Sequence, residues 1–237
     1  MDRLRELWDF DDLDATESRL RDQLASERGE DGRAEVLTQL ARVEGLRDEF
    51  AAADRLLVEA EQLATGDVAR ARIDLERGRV LRSGSDPDAA LPLFVAAYER
   101  ALAAGQDFIA ADAAHMAAIV DPSWAERGIE FAESSEDARY WLGPLWNNLG
   151  WSRFEAGDAA GALDAFERAL AVRDTPQERA IARYAVARAL RELDRLAEAV
   201  EELQAARAES PGPDPIIEEE LAAALALLAP SRHQHPA

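Results

Sequence analysis

The chain has 237 residues, 48% of them apolar and only 6% aromatic, and its formal net charge is −21. It contains no Cys, which excludes a disulfide framework, thiolate chemistry and Cys-type zinc sites. So acidic a chain is repelled by phosphate backbones and anionic lipid surfaces, which argues against nucleic-acid and membrane partners.

All 27 basic residues are Arg. Codon bias in a GC-rich genome and adaptation to high salt both produce that usage, and neither bears on function. Strand-type runs of Val, Ile, Thr and aromatics are nearly absent, so the chain is expected to be almost entirely helical.

The N-terminal "MDRLRELWDFDD" has no apolar core segment and does not read as a signal peptide. "WDFDDLD" carries acid enough for a cation, but the glycine and terminal Glu of a calcium loop do not follow. It reads as a solvated helix start. Residues 13–28 predict a lone outer helix with the stripe Thr16, Leu20, Gln23.

The same spacing of four and then three recurs along the chain. Ala53, Leu57, Ala60 is followed by Ala90, Phe94, Ala97, then Ala125, Ile129, Ala132, then Ala162, Phe166, Ala169, then Ala199, Leu203, Ala206. The leading alanines are 37, 35, 37 and 37 residues apart. Each stripe is the inner face of a second helix. Before each lies a first helix with a small residue at its packing position: Ala41, Gly78, Ala114 (Ala113 if the turn is one longer), Gly150 and Ala187. The turns "SGSDPD" at 83–88, "VDPSW" at 120–124, "EAGD" at 155–158 and "RDTP" at 173–176 supply N-caps and helix-starting prolines.

Three interruptions stand out. Pro92 lies within its second helix and predicts a late start for it. Gly143-Pro144 predicts a kink or a fresh helix start. Arg153 sits where a buried residue is expected, so either that helix is rotated slightly or the Arg stem covers the core with its charge outside. After "ESPGPDP" at 209–215, residues 214–230 predict a capping helix whose acidic front, Glu218 to Glu220, suits the helix dipole. Its apolar run, Leu221 to Ala229, is nine residues, against the roughly 20 that cross a bilayer. The tail 231–237, "SRHQHPA", reads as disordered.

The segment "WNNLGWSRFEAGDAAGALDAFERAL", Trp146 to Leu170, resembles the tetratricopeptide repeat family through its W-x2-L-G, G-D and A-x3-F-x2-A-L pattern. Weaker copies extend the resemblance over residues 33–213, in units longer than that family's usual ~34 residues. The resemblance implies an all-α, right-handed superhelical solenoid of antiparallel helix pairs, about twelve helices in all. The expected organisation is a single domain over 1–230: an N-terminal cap (1–32), about five pairs (33–213) and a C-terminal cap (214–230). It also implies a bacterial protein, and the reading of no signal peptide and no membrane-length apolar run leads to the expectation of a cytoplasmic one.

No Gly-rich phosphate loop, G-x-S-x-G elbow or H-E-x-x-H motif is present, so no catalytic residue, cofactor or metal site is assigned and no enzyme activity is expected. His115 follows Asp112 by three positions. That pair reads either as a base in a cleft or as two side chains lining the polar side of an inner helix. His233 and His235 lie in the tail.

One pattern rises above the repeat. The residue after each small packing residue reads Arg42, Arg79, His115, Trp151, Arg188, and the residue two before it reads Gln39, Glu76, Asp112, Asn148, Ala185. Arg82 and Arg191 lie a turn onward, and Asn147 adjoins Asn148. By the family resemblance, these positions face the concave groove. The candidate partner-binding set is therefore Arg42, Arg79, Arg82, Asp112, His115, Asn147, Asn148, Trp151, Arg188 and Arg191. Such arginines either offer bidentate donors to an anionic ligand or pair internally with Glu76, Asp112 and neighbouring acids. The family's carboxylate clamp is not reproduced, since its lysines are absent.

These readings predict a scaffold binding a protein or an extended peptide, with acidic groups favoured. Two alternatives are a homodimeric assembly protein and a regulatory sensor for a signal peptide or small molecule.

Overall fold

The computed structural model describes residues 2–84 and 86–228. Within them the chain forms twelve α-helices and no strand. A 3-10 turn, Arg5–Leu7, precedes α1 (Leu13–Ser26). Five helix pairs follow: α2 (Glu30–Leu46) with α3 (Phe50–Leu63), α4 (Asp67–Gly84) with α5 (Pro87–Ala103), α6 (Asp107–Val120) with α7 (Trp124–Ser134), α8 (Leu142–Glu155) with α9 (Ala159–Ala171), and α10 (Pro176–Glu192) with α11 (Leu196–Glu209). α12 (Pro215–Leu228) closes the series, and a second 3-10 turn, Arg139–Trp141, precedes α8. The fold is an all-α solenoid of helix pairs.

The helix starts are set chemically. Asp12, Asp86 and Asp158 each accept a hydrogen bond from a backbone N–H three residues on, at Ala15, Ala89 and Gly161. Thr175 and Glu178 form a reciprocal capping box at α10. Among the described residues, three of the turns inside the pairs hold one left-handed residue, Asp48 (φ 61), Gly157 (φ 82) and Asp194 (φ 59). Asp tolerates that conformation better than other non-glycine residues.

Two expectations need correction. α5 does not start late: it begins at Pro87, with Asp86 as N-cap and Pro92 inside it. Pro92 is exposed, and the carbonyl it leaves unbonded belongs to exposed Asp88 in the first turn, where water can take its place. α2 begins at Glu30, inside the segment expected as the N-terminal cap. Gly143-Pro144 does mark a fresh start, since both lie in the first turn of α8. Residues 229–237, including the expected tail with His233 and His235, lie outside the described residues.

The chain divides into two compact units, Met1–Trp141 and Leu142–Ala237. In unit one the stripes Ala53, Leu57, Ala60 and Ala90, Phe94, Ala97 are fully buried, and Ala125, Ile129, Ala132 nearly so. α1 caps this core with Leu20 and Thr16, both fully buried. The Thr16 hydroxyl is satisfied by Asp9: it donates to the carbonyl at 2.9 Å and accepts from the N–H at 2.8 Å. That is how a polar residue holds a core position.

The first residues are tied in by charge. Arg72, almost wholly buried, pairs with Asp2 and, at 3.2 Å, with Glu35. Arg3 reaches the same Glu35 at 3.3 Å and Glu27 at 2.6 Å. In unit two, Ala162, Phe166, Ala199, Leu203 and Ala206 form one core with Ile217, Leu221 and Ala224 of α12.

Candidate functional site

In unit one the first helices α2, α4 and α6 bring Arg42, Arg79 and His115 to one place. Together with Glu76, Arg82 and Ser83 they line a cavity of ≈ 250 Å³. Its apolar wall includes Phe50, Val80 and Met116. Leu46, 50% exposed, and Ile119, 42% exposed, stand at its rim.

The charges there are already organised. Arg79 bridges Glu76 of its own helix and Asp112 of α6. Arg42 Nη1 lies 3.7 Å from the other oxygen of Asp112. Glu76 is 2% exposed and Asp112 is 4% exposed, so two carboxylates and two guanidiniums share a nearly dry site. Burial pushes the Glu76 carboxyl above its usual range, although Arg79 and Arg42 pull it down. Burial and the nearby Arg79 charge lower Arg42. Burial also depresses Arg79, but Asp112 and Glu76 outweigh it and hold that guanidinium above its ordinary value.

Arg42 also stacks over Trp8 at 5.2 Å and Phe10 at 5.5 Å, while Trp8 Nε1 donates to the buried Gln39 at 3.0 Å. His115 lies against Trp141 with ring centroids 5.3 Å apart. Asp112 is thus engaged by two arginines. Two polar atoms at the cavity are left over: neither Glu76 Oε2 nor Arg82 Nε has a hydrogen-bond partner, and both are buried.

In unit two Asn147 and Trp151 of α8 line a larger cleft of ≈ 770 Å³. Gln177, Ile181 and Tyr184 of α10 form a second wall. Pro211 and Pro213 of the turn before α12, with Pro215 and Ile216 at the start of α12, form the third. Ile181 is 57% exposed and Ile216 61%. Trp151 also works in the core, edge-on to Phe154 at 5.6 Å and Phe166 at 5.1 Å. Asn148 does not line this cleft. Arg153 donates to the Gly161 carbonyl of α9 at 3.2 Å.

Arg188 and Arg191 do not reach the cleft. Both turn to Glu220 of α12, at 3.5 and 2.9 Å, and Arg188 also donates to the Tyr184 hydroxyl at 3.0 Å. Glu220, expected as part of an acidic front suited to the helix dipole, is 9% exposed and acts as their counter-ion. Only Glu218 lies in the first turn of α12. The sequence reading missed the proline turn as a wall, because "PGPDP" reads first as a helix boundary. It also missed the rim residues Leu46 and Ile119, which sit off the repeat's packing positions.

Among the described residues no group of three or more His, Cys, Asp and Glu could hold a metal ion. No helix among them is long and apolar enough to cross a membrane. Neither a family model nor a curated protein matches the sequence. Among solved structures, the chain is similar to the apo form of the quorum sensor NprR from B. thuringiensis, with a TM-score of 0.65 and 14% identity over 92% of this chain. The chain spans 65% of the length of that structure. At that identity the likeness shows the fold alone.

Proposed function

We propose that this chain is a tetratricopeptide-type regulatory or scaffolding protein of a bacterial cytoplasm, without catalytic activity, that binds an extended peptide segment on the face of its first helices. One observation carries the reading. Trp151, picked out by repeat register, and Asn147, the neighbour of Asn148, line a cleft of ≈ 770 Å³, within the roughly 300–1,000 Å³ of ordinary ligand sites. Its composition suits a peptide. Trp151 and Tyr184 offer flat apolar faces, Asn147 and Gln177 offer amides for a backbone, and Ile181 and Ile216 leave apolar surface uncovered. The fold's likeness to a quorum sensor supports the sensor form of this reading over a passive scaffold.

The preference for acidic groups rests on a narrower base. Arg42, Arg79, Arg188 and Arg191 each have a carboxylate within the chain, and Arg82 has no ion pair among the described residues. The unit-two cleft has no arginine in its lining and would select apolar side chains.

Selection from a phage-displayed library of random short peptides tests this. Wild-type protein should enrich a consensus that Trp151→Ala and Ile181→Asp abolish. Equal enrichment on the variants would refute the cleft.

A second reading has its own observation. On α12, Leu225, Leu227 and Leu228 are 45%, 61% and 44% exposed, an apolar surface fit for a homodimer contact. Light scattering at micromolar concentration decides it, and a strict monomer rejects it.

A further inference from the structure

In unit one the stripe that the repeat register marks on the first helices is already covered. Glu35, Arg72 and Phe108 each stand six positions before a small packing residue (Ala41, Gly78, Ala114), and Gln39 and Arg42 continue that line on α2 at spacings of four and three. The arm ahead of α1, residues 2–12, lies across these positions on three helices. Asp2 pairs with Arg72 of α4, and Arg3 with Glu35 of α2 at 3.3 Å. The Arg5 guanidinium stands over Phe108 of α6 at 5.3 Å and over Tyr140 at 3.7 Å. Trp8 donates to Gln39 at 3.0 Å, and Arg42 stands over both Trp8 and Phe10. Leu4, 1% exposed, is the anchor, in one core with Leu37 and Leu40 of α2 and Ile73 of α4.

The arm is thus held as a bound peptide is held, by a buried aliphatic anchor, paired charges and a Trp that combines stacking with a hydrogen bond. Its side chains make these contacts at fixed intervals. Another segment with the same side chains at the same intervals would meet the same partners. The hold is also uneven. The Asp2 and Leu4 side chains are buried, whereas Phe10 is 60% exposed and Trp8 only partly buried, so the stacked end opens first.

We propose that the arm is an internal ligand of this face, and that a partner protein's segment of the pattern D-x-L-x3-W displaces it to bind there. The pattern is that of Asp2, Leu4 and Trp8. Attachment gives the arm an effective concentration on the order of millimolar, so displacement needs a concentrated partner or a loosened arm. Binding at this face does not depend on the unit-two cleft taking a peptide.

Fluorescence anisotropy of a labelled peptide with the sequence of residues 1–12 tests this on the full chain. Wild type should bind it weakly, since its own arm competes. Leu4→Ala combined with Trp8→Ala loosens the arm and leaves the face intact. That change should tighten binding at least about tenfold, the scale of one lost anchor residue in the competing arm. Trp8→Ala alone should act in the same direction and serves as a second variant should the double variant fold poorly. The peptide should also raise the thermal midpoint of the loosened chain, and a peptide carrying both alanines should neither bind nor stabilise. Trp151→Ala should leave this binding unchanged. Equal affinity in wild type and both arm variants, equal affinity for the alanine peptide, or no saturable binding to the arm variants at millimolar peptide would overturn the proposal. A wild-type dimer that Trp8→Ala dissolves would overturn it too, since the occupant of the face would then be the arm of a second copy.

Discussion

The ring of Phe94 on α5 lies against the bare Cα of Gly78 on α4. A β-carbon built at Gly78 would stand 2.4 Å from the ring, and one at Gly150 would meet Phe166 at the same 2.4 Å. One packing device thus recurs in both units. Phe94 and Phe166 are fully buried, so neither ring has room to retreat. Gly78→Ala and Gly150→Ala should each destabilise by about 1–3 kcal/mol through overpacking, outweighing the roughly 1 kcal/mol that Ala gains over Gly in a helix interior. Chemical denaturation would measure it. Gly78→Ala combined with Phe94→Leu should show positive coupling, whereas simple additivity would mean that the backbones separate instead.

Arg79 offers a direct contrast with Arg82. Arg79→Ala strips the main partner from two nearly buried carboxylates, and removing one member of a buried pair costs about 3–5 kcal/mol. Arg82→Ala breaks no ion pair among the described residues and should change stability by less than about 0.5 kcal/mol. A urea series on both variants separates the structural arginine from the available one. Similar losses in the two would show that Arg82 is held by more than its packing.

In unit two the equivalent test is Glu220→Ala. It frees Arg188 and Arg191 at once, since both converge on this carboxylate. The arginines are partly exposed, so the stability cost should stay near 1 kcal/mol. The change in ligand behaviour should be larger. With no internal acid, these two cations become available to anionic peptides, and affinity for an acidic probe peptide should rise and become salt-sensitive. Fluorescence anisotropy at two ionic strengths would read it, and no change would place both side chains out of reach of any bound segment.

The fold was legible because it rests on local repetition. Ala162, Phe166 and Ala169 announce a buried helix face by spacing alone, and every stripe of that type is buried. Caps were legible for the same reason, since Asp158 needs only the N–H three residues on. The site was legible in part. Register identified Arg42, Arg79, His115, Trp151 and Arg188 as neighbours of the packing residues; the first four line a cavity and Arg188 does not. Register could not choose a partner for them. Whether Arg79 meets a ligand or Asp112 depends on a contact 33 residues away on another helix. Glu220 shows the same limit: its position near a helix start suggested a dipole role, and its burial against Arg191 follows only from packing. The proline turn at 211–215 carries no period, so nothing marked it as a wall.

Two ion-paired carboxylates of unit one, Asp2 and Glu76, should titrate stability in opposite directions. Burial raises Asp2, but Arg72, by charge and hydrogen bond, more than reverses this and holds it below its ordinary 3.8. Its stabilising effect is present above 3.8 and is lost as pH falls through the depressed folded value. Glu76 is raised above 4.5, chiefly by burial, so the folded state binds the extra proton. Its effect favours the fold at low pH and declines as pH rises from 4.5 through the raised folded value. Asp2→Asn should therefore lower stability at neutral pH by about 3 kcal/mol, the cost of breaking a buried pair, and flatten the acid limb of the stability curve. Glu76→Gln should do the reverse on the other limb: relative to wild type it should gain stability as pH rises above 4.5. Denaturant midpoints from acid to neutral pH for wild type and both variants would show two slopes of opposite sign. A Glu76→Gln curve parallel to wild type would mean that Arg79 and Arg42 keep that carboxylate charged in the folded state despite its burial.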